Sequence, residues 1–208
     1  MSRAERQRAV LVFARVPKLG EVKTRLARAV GAAEALRVHR ALLWRTLAVA
    51  ASAAGARVQL WIEGDDRDGE CARLAGAFGA ELRWQPGGDL GAKMDAAING
   101  ALAGSMLPVI VGSDCPVLEA ADLERAFEWL GAVDAVFAPT EDGGYALVGA
   151  MRSITPAFAG VGWGGAGVMR ATRERLVGAG LGWRELRVLW DVDDEAGYRL
   201  WLGERAPG

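Results

Sequence analysis

Ala9-Val-Leu-Val-Phe-Ala-Arg-Val-Pro-Lys-Leu-Gly-Glu-Val-Lys-Thr-Arg25 decides the fold. Its first six residues form an unbroken apolar run and read as a buried strand. Pro17 and Gly20 punctuate the loop that follows, and Lys23-Thr24-Arg25 opens a helical stretch. Two cations therefore stand where a strand feeds a helix N-terminus, a recurring place to hold an anionic ligand. Only three lysines, Lys18, Lys23 and Lys93, stand against 22 arginines. A compact ammonium suits point contact with phosphate, where the planar fork of Arg fits less readily.

Outward from this stretch, strands and helices alternate. Helical patterns cover 32–53, 69–78, 89–103, 119–130, 166–177 and the end of the chain from about Asp194. Strand patterns cover 57–62, 81–84, 107–112, 135–138, 145–148 and 186–190. Such alternation predicts an α/β fold, a three-layer α/β/α arrangement with a mostly parallel sheet covered by helices on both faces. No linker, repeat or low-complexity tract interrupts it, so one domain over residues 1–208 is expected. His39, the only histidine, falls beside the apolar face of the long helix and reads as a packed residue rather than a catalytic base.

Composition excludes several classes. With 25 Lys and Arg against 26 Asp and Glu, the formal net charge of -1 lacks the basic excess of a nucleic-acid binder. Cys71 and Cys115 form neither a disulfide framework nor a metal-site spacing. The charged start, residues 1–8, is followed by an apolar run too short for a signal sequence, and no stretch approaches a membrane span. A cytoplasmic protein is expected.

In open sheets of this kind, ligands bind beyond the carboxyl ends of the strands, where strand order reverses. If the first strand is central, the loop after it and the loop Val111-Gly-Ser-Asp-Cys-Pro116 flank that crevice. Asp114 follows the most apolar strand, faces a cationic loop, and suits Mg²⁺ or Mn²⁺ bridging to substrate phosphates. Gly87-Gly-Asp-Leu-Gly-Ala-Lys93 has two readings: Asp89 caps the next helix, or the glycines allow close approach while Lys93 contacts phosphate or base. Glu141-Asp-Gly-Gly-Tyr145 reads as a turn or as a crevice loop backed by a tyrosine. Asp191 or Asp193 is available as a second metal ligand. Gly162-Trp-Gly-Gly-Ala-Gly167 matches a dinucleotide fingerprint letter for letter, but no strand leads into it, and Val22 stands where a P-loop requires glycine.

Taken in order, four motifs resemble those of the DUF2064, or selenium-domain-associated transferase, family, which is glycosyltransferase-like. They are Phe13-Ala-Arg-Val-Pro17 with Gly20 and Lys23-Thr-Arg-Leu26, then Gln85-Pro-Gly-Gly-Asp-Leu-Gly91, Gly112-Ser-Asp-Cys-Pro116 and Pro139-Thr-Glu-Asp-Gly-Gly-Tyr145. The resemblance runs from Phe13 to about Asp193 and implies the GT-A fold of nucleotide-diphospho-sugar transferases. By that resemblance Lys23 and Arg25 meet nucleotide phosphates, and Asp114 binds the metal. Asp142, Gly143 and Gly144 lie near the acceptor or sugar. Arg15 stands where the family usually has Lys.

The expected function is a metal-dependent transferase with a nucleotide-activated donor, a nucleoside-diphosphate sugar, and an unknown small acceptor. Its expected catalytic residues are Asp114, Glu141 and Asp142, and its metal ligands Asp114 and Asp193. Its expected substrate contacts are Arg15, Gly20, Lys23, Arg25, Asp89, Lys93, Gly143, Gly144 and Tyr145. A nucleotidyltransferase that releases pyrophosphate needs the same cations and metal. A nucleotide-binding regulatory module is the non-enzymatic alternative, though mere binding needs the cations more than the acids.

Overall fold

In the computed structural model, residues 6–205 are described; most of the charged start, residues 1–5, lies outside them. The order is β1 (Gln7–Arg15), α1 (Thr24–Val30), α2 (Ala32–Ser52), β2 (Arg57–Glu63), α3 (Glu70–Ala77), β3 (Glu81–Trp84) and α4 (Leu90–Ala103). Then follow β4 (Met106–Gly112), α5 (Ala120–Trp129), β5 (Ala135–Pro139), β6 (Tyr145–Ala150), a 3-10 turn (Thr155–Phe158), α6 (Val168–Gly178), β7 (Trp183–Glu185) and α7 (Glu195–Arg205).

The seven strands form one sheet in the order β3-β2-β1-β4-β6-β5-β7. β1 pairs in parallel with both β2 and β4, and β2 in parallel with β3. β6 runs antiparallel to both β4 and β5, and β5 pairs in parallel with β7. The sheet is therefore mixed and mostly parallel. Six consecutive buried residues, Ala9 to Ala14, make β1 the strand covered on both faces. Successive side chains of a strand point to opposite faces. Val10, Val12 and Ala14 accordingly join the core under α2, α3 and α5, while Ala9, Leu11 and Phe13 join the core under α4 and α6. This is the three-layer α/β/α architecture read from the sequence. The Leu43, Leu47 and Ala50 face of α2 lies in the first core, and His39 is buried at 3% exposure. A third apolar cluster, with Leu26, Leu42, Val192 and Trp201, fastens α1, α2 and α7 together.

One strand lies elsewhere than its pattern predicts. Residues 186–190 were expected to pair, but the strand is Trp183–Glu185. Beyond it the chain keeps to β5 only through Leu186 N–H to the Phe137 carbonyl, Leu189 N–H to the Pro139 carbonyl and a bridge between Leu189 and Thr140. Arg187 explains the departure, because its guanidinium is drawn to Asp122 of α5 and to the carbonyl of Val117. Val188 is left 60% exposed, so the Leu186-Val188-Trp190 alternation does not mark a buried face.

Asp122 also completes a capping box at the start of α5, accepting from Glu119 N–H. Its removal deletes a cap worth about 1 kcal/mol and a charge-assisted bond to a half-exposed Arg187 worth about 1.5 kcal/mol or more. Asp122→Ala is expected to lower stability by about 2 kcal/mol, with the midpoint of urea unfolding shifted and the slope unchanged. An unshifted midpoint would show that neither contact contributes.

Candidate functional site

Strand order reverses between β1 and β4, where the chain turns from the β2–β3 side to the β6 side. Phe13 and Gly112 are paired across that junction, so the loops after β1 and β4 open from neighbouring strand ends. A crevice at such a switch point is where ligands enter open α/β sheets.

Lys23 lies at its centre. The residue adopts φ 45° and ψ 48°, the left-handed region that a side-chain-bearing residue enters at a cost of about 1–2 kcal/mol. From there its Nζ lies 2.6 Å from Asp114 Oδ1 and 3.4 Å from Asp193 Oδ1. The lysine side chain is only 3% exposed, whereas those of Asp114 and Asp193 are 43% and 44% exposed. Lys23 is thus not the exposed loop cation that its neighbours Pro17 and Gly20 suggest. A backbone bond from Val192 N–H to the Asp114 carbonyl, 3.0 Å, holds the two acid-bearing loops side by side.

The electrostatics follow from this triad. Burial disfavours the charged form of Lys23, but Asp114 and Asp193 outweigh it and hold the ammonium above the ordinary lysine value. Burial would raise Asp114, yet the close Lys23 ammonium overrides it and keeps the carboxyl below its usual range. Asp193, the more distant partner, is pushed up by burial and by the Asp114 charge. Asp191 is pushed up to about 7 by burial and by the charges of Asp193, Asp142 and Asp114. His39 donates from Nε2 to the Arg15 carbonyl at 3.0 Å, and burial keeps it neutral by lowering its pKa.

Two clefts adjoin at Asp114. One, of about 290 Å³, is lined by Arg15, Lys23, Thr24, Arg25 and His39 with the acids Asp114 and Asp193. Arg15 and Arg25 are 65% and 67% exposed there, bonded loosely to Glu63 at 3.5 Å and Asp194 at 3.3 Å. The other, of about 260 Å³, is mainly apolar and carries Asp114, Asp142, Asp191, Gly144, Tyr145 and Trp163 among its walls. Asp142 Oδ1 accepts from Thr140 Oγ1 at 2.5 Å and from Gly144 N–H at 3.0 Å, which fixes the carboxylate. Gly143 has φ 88°, and an added Cβ would come 2.1 Å from the Ala166 carbonyl oxygen. Only glycine lets the 140–145 turn press against the loop that carries Trp163.

The remaining expected residues lie outside these walls. Asp89 caps α4 by accepting from Ala92 N–H at 2.8 Å, Lys93 pairs with Glu63, and Gly20 forms a positive-φ turn. Glu141 lines neither cleft; its backbone bonds Leu189. Gly91 serves the protein itself, since a Cβ there would come 2.6 Å from Trp163 Cζ2. Sequence reasoning missed Trp163 as a cleft wall: its glycine motif was tested only as a dinucleotide fingerprint.

Among the described residues, no group of three or more His, Cys, Asp and Glu side chains is arranged to hold a metal ion. Asp114 and Asp193 nonetheless fit a hard divalent cation by their chemistry. They are oxygen donors, partly open to solvent, in a cluster whose acids outnumber the lysine between them. Mg²⁺ and Mn²⁺ characteristically take one or two carboxylates and leave their other positions to water and substrate phosphates.

Comparison with solved structures places this geometry in a known setting. A protein of Desulfovibrio desulfuricans G20, provisionally named a nucleotide-diphospho-sugar transferase, matches with TM-score 0.82 at 29% identity, over 91% of this chain and 83% of its own. Rv0371c of Mycobacterium tuberculosis H37Rv, solved in complex with manganese, matches at 0.54 and 22% over 96% and 100%. A CMP:2-keto-3-deoxy-manno-octonic acid synthetase complexed with CTP matches at 0.59 and 12% over 96% and 100%. The last two likenesses are of fold. No curated protein matches the chain. No described helix is long and apolar enough to cross a membrane. Residues 46–165, more than half of the chain, match the family described as "Uncharacterized protein conserved in bacteria (DUF2064)", and the protein belongs to that family.

Proposed function

We propose that the protein is a transferase that takes a nucleotide-activated donor, a nucleoside-diphosphate sugar, and moves the sugar to a small acceptor. One observation carries this: a cationic cleft and an acid-bearing apolar cleft adjoin at a single carboxylate, Asp114, beyond the switch point of the sheet. The likeness to the Desulfovibrio protein supports the donor class.

The exposed guanidinium groups of Arg15 and Arg25 receive the donor's diphosphate in the first cleft, where planar forks match phosphate oxygens. Lys23, already committed to two carboxylates, fixes Asp114 and Asp193 in place. Asp114 and Asp193 would hold Mg²⁺ or Mn²⁺, which supplies charge neutralisation on the departing diphosphate. The acceptor stands in the second cleft. Its hydroxyl oxygen bonds to the anomeric carbon of the sugar as the bond from that carbon to the diphosphate oxygen breaks. The electron pair leaves with the nucleoside diphosphate, and the hydroxyl proton passes to Asp142. Asp142 lines the cleft and Glu141 does not, so Asp142 is the better placed of the two acids.

Nucleotidyl transfer to a phosphorylated acceptor is the runner-up. It would place an anion in the second cleft, among whose lining residues there is no Lys, Arg or His. Release of pyrophosphate instead of nucleoside diphosphate would mark that reaction.

Arg25→Ala removes one charge-assisted phosphate contact, an interaction worth about 1.5–3 kcal/mol. Calorimetric titration with nucleoside diphosphates should show affinity lowered about 10- to 100-fold with the melting temperature preserved. Unchanged affinity would take Arg25 out of the phosphate site. For the acids, Asp142→Asn should reduce turnover about 10²-fold or more, the usual contribution of a positioned base, while Glu141→Gln stays within a few-fold of wild type. Reversal of that order would transfer the proton-accepting role to Glu141.

A further inference from the structure

The second cleft differs in kind from the first. Leu90 and Met94 of α4, Ile110 of β4, Val148 of β6 and Trp163 give it aliphatic and aromatic walls. Its only charged lining groups are Asp114, Asp142 and Asp191. Trp163 Nε1 is buried and has no hydrogen-bond partner. Tyr145 Oη and Thr172 Oγ1 have no partner beyond each other. Native proteins rarely leave a buried donor unpaired, and such a group calls for a partner that the protein does not supply. The indole is also held firmly. It packs 6.4 Å from the Tyr145 ring and 6.3 Å from the Phe158 ring, centroid to centroid, over a Gly91 that leaves no room for a Cβ. The cleft is a formed site rather than a gap in loose packing.

These features select among ligands. An anion would face three aspartates with no compensating cation. A bare sugar would set several hydroxyls against Leu90, Met94, Ile110 and Val148, which accept no hydrogen bonds, and buried polar groups are costly unless paired. A molecule with an apolar body meets neither penalty. We propose that the acceptor is a small uncharged or cationic molecule with an aromatic or aliphatic body. A hydrogen-bond acceptor at one end meets Trp163 Nε1, and the reacting hydroxyl at the other end lies by Asp114 and Asp142. This deepens the transferase assignment and rests on it.

The test uses two probes of one shape. 4-Hydroxyacetophenone is uncharged and carries a carbonyl opposite a hydroxyl; 4-hydroxybenzoate replaces the ketone with a carboxylate. In ligand-observed NMR titrations of the full chain, the ketone should bind saturably and at least about tenfold tighter than the benzoate. Trp163→Phe keeps an aromatic ring but removes the N–H, and should weaken the ketone about 3- to 10-fold, the range of one lost hydrogen bond. Gly91→Ala, which pushes on the same ring, should weaken it in the same direction and serves if Trp163→Phe fails to fold. Absent ketone binding, equal or tighter benzoate binding, or wild-type ketone affinity in the folded variants would overturn the proposal. Nucleoside diphosphate binding is measured separately without either probe. Its absence in wild type would remove the transferase assignment, whereas its presence alongside failed probe titrations would remove only the acceptor class.

Discussion

A buried ammonium shared by two half-exposed carboxylates is the constraint on which the site depends. Lys23, Asp114 and Asp193 come from three separate loops, with Asp114 lying 91 residues and Asp193 170 residues from Lys23 in the chain. The cost of a left-handed lysine is offset because only that conformation brings its stem inward while α1 starts immediately behind it. Buried ion pairs are weak evidence for stability, since desolvation cancels much of the attraction. Their value here is positional. Lys23 neutralises enough charge for Asp114 to stay ionised between two clefts, yet leaves Asp193 and Asp191 electrostatically unsatisfied.

The sheet makes this meeting possible. Because β1 and β4 are parallel neighbours, the loops after them emerge at one end, and the Val192–Asp114 backbone bond adds the segment after β7. The antiparallel β6 then brings Tyr145 to the same end and backs the apolar cleft with Leu147 and Val148. Charge is divided accordingly: exposed arginines on one side of Asp114, aspartates amid apolar walls on the other. That partition separates a polyanionic donor from an acceptor of different chemistry.

Most of the fold was legible because its cause is local. The Ala9–Ala14 run, the helix faces and the strand–helix alternation are periodic patterns, and burial on both sides of β1 follows from them. The 186–190 segment was misread because alternation there competes with a long-range pull, Arg187 toward Asp122, that no local pattern carries. The site was half legible. Asp114 announced itself by ending an apolar strand, and the pairing of Lys23 with it followed from two loops at one crevice. The burial of Lys23 did not, since it depends on an unusual φ that Lys seldom adopts. The Trp163 wall was hidden for a similar reason: it exists because Gly91 and Gly143, distant in sequence, lack side chains.

The central claim is that Asp114 joins a cation to the donor's diphosphate at the boundary of the two clefts. Calorimetric titration of nucleoside diphosphates into the wild-type chain and into Asp114→Asn, each with and without Mn²⁺, tests it most directly. The substitution keeps the shape of the side chain and removes its charge. Mn²⁺ should strengthen binding to the wild type and leave binding to the variant unchanged, with similar melting temperatures for both. Equal strengthening in the two proteins would contradict the account.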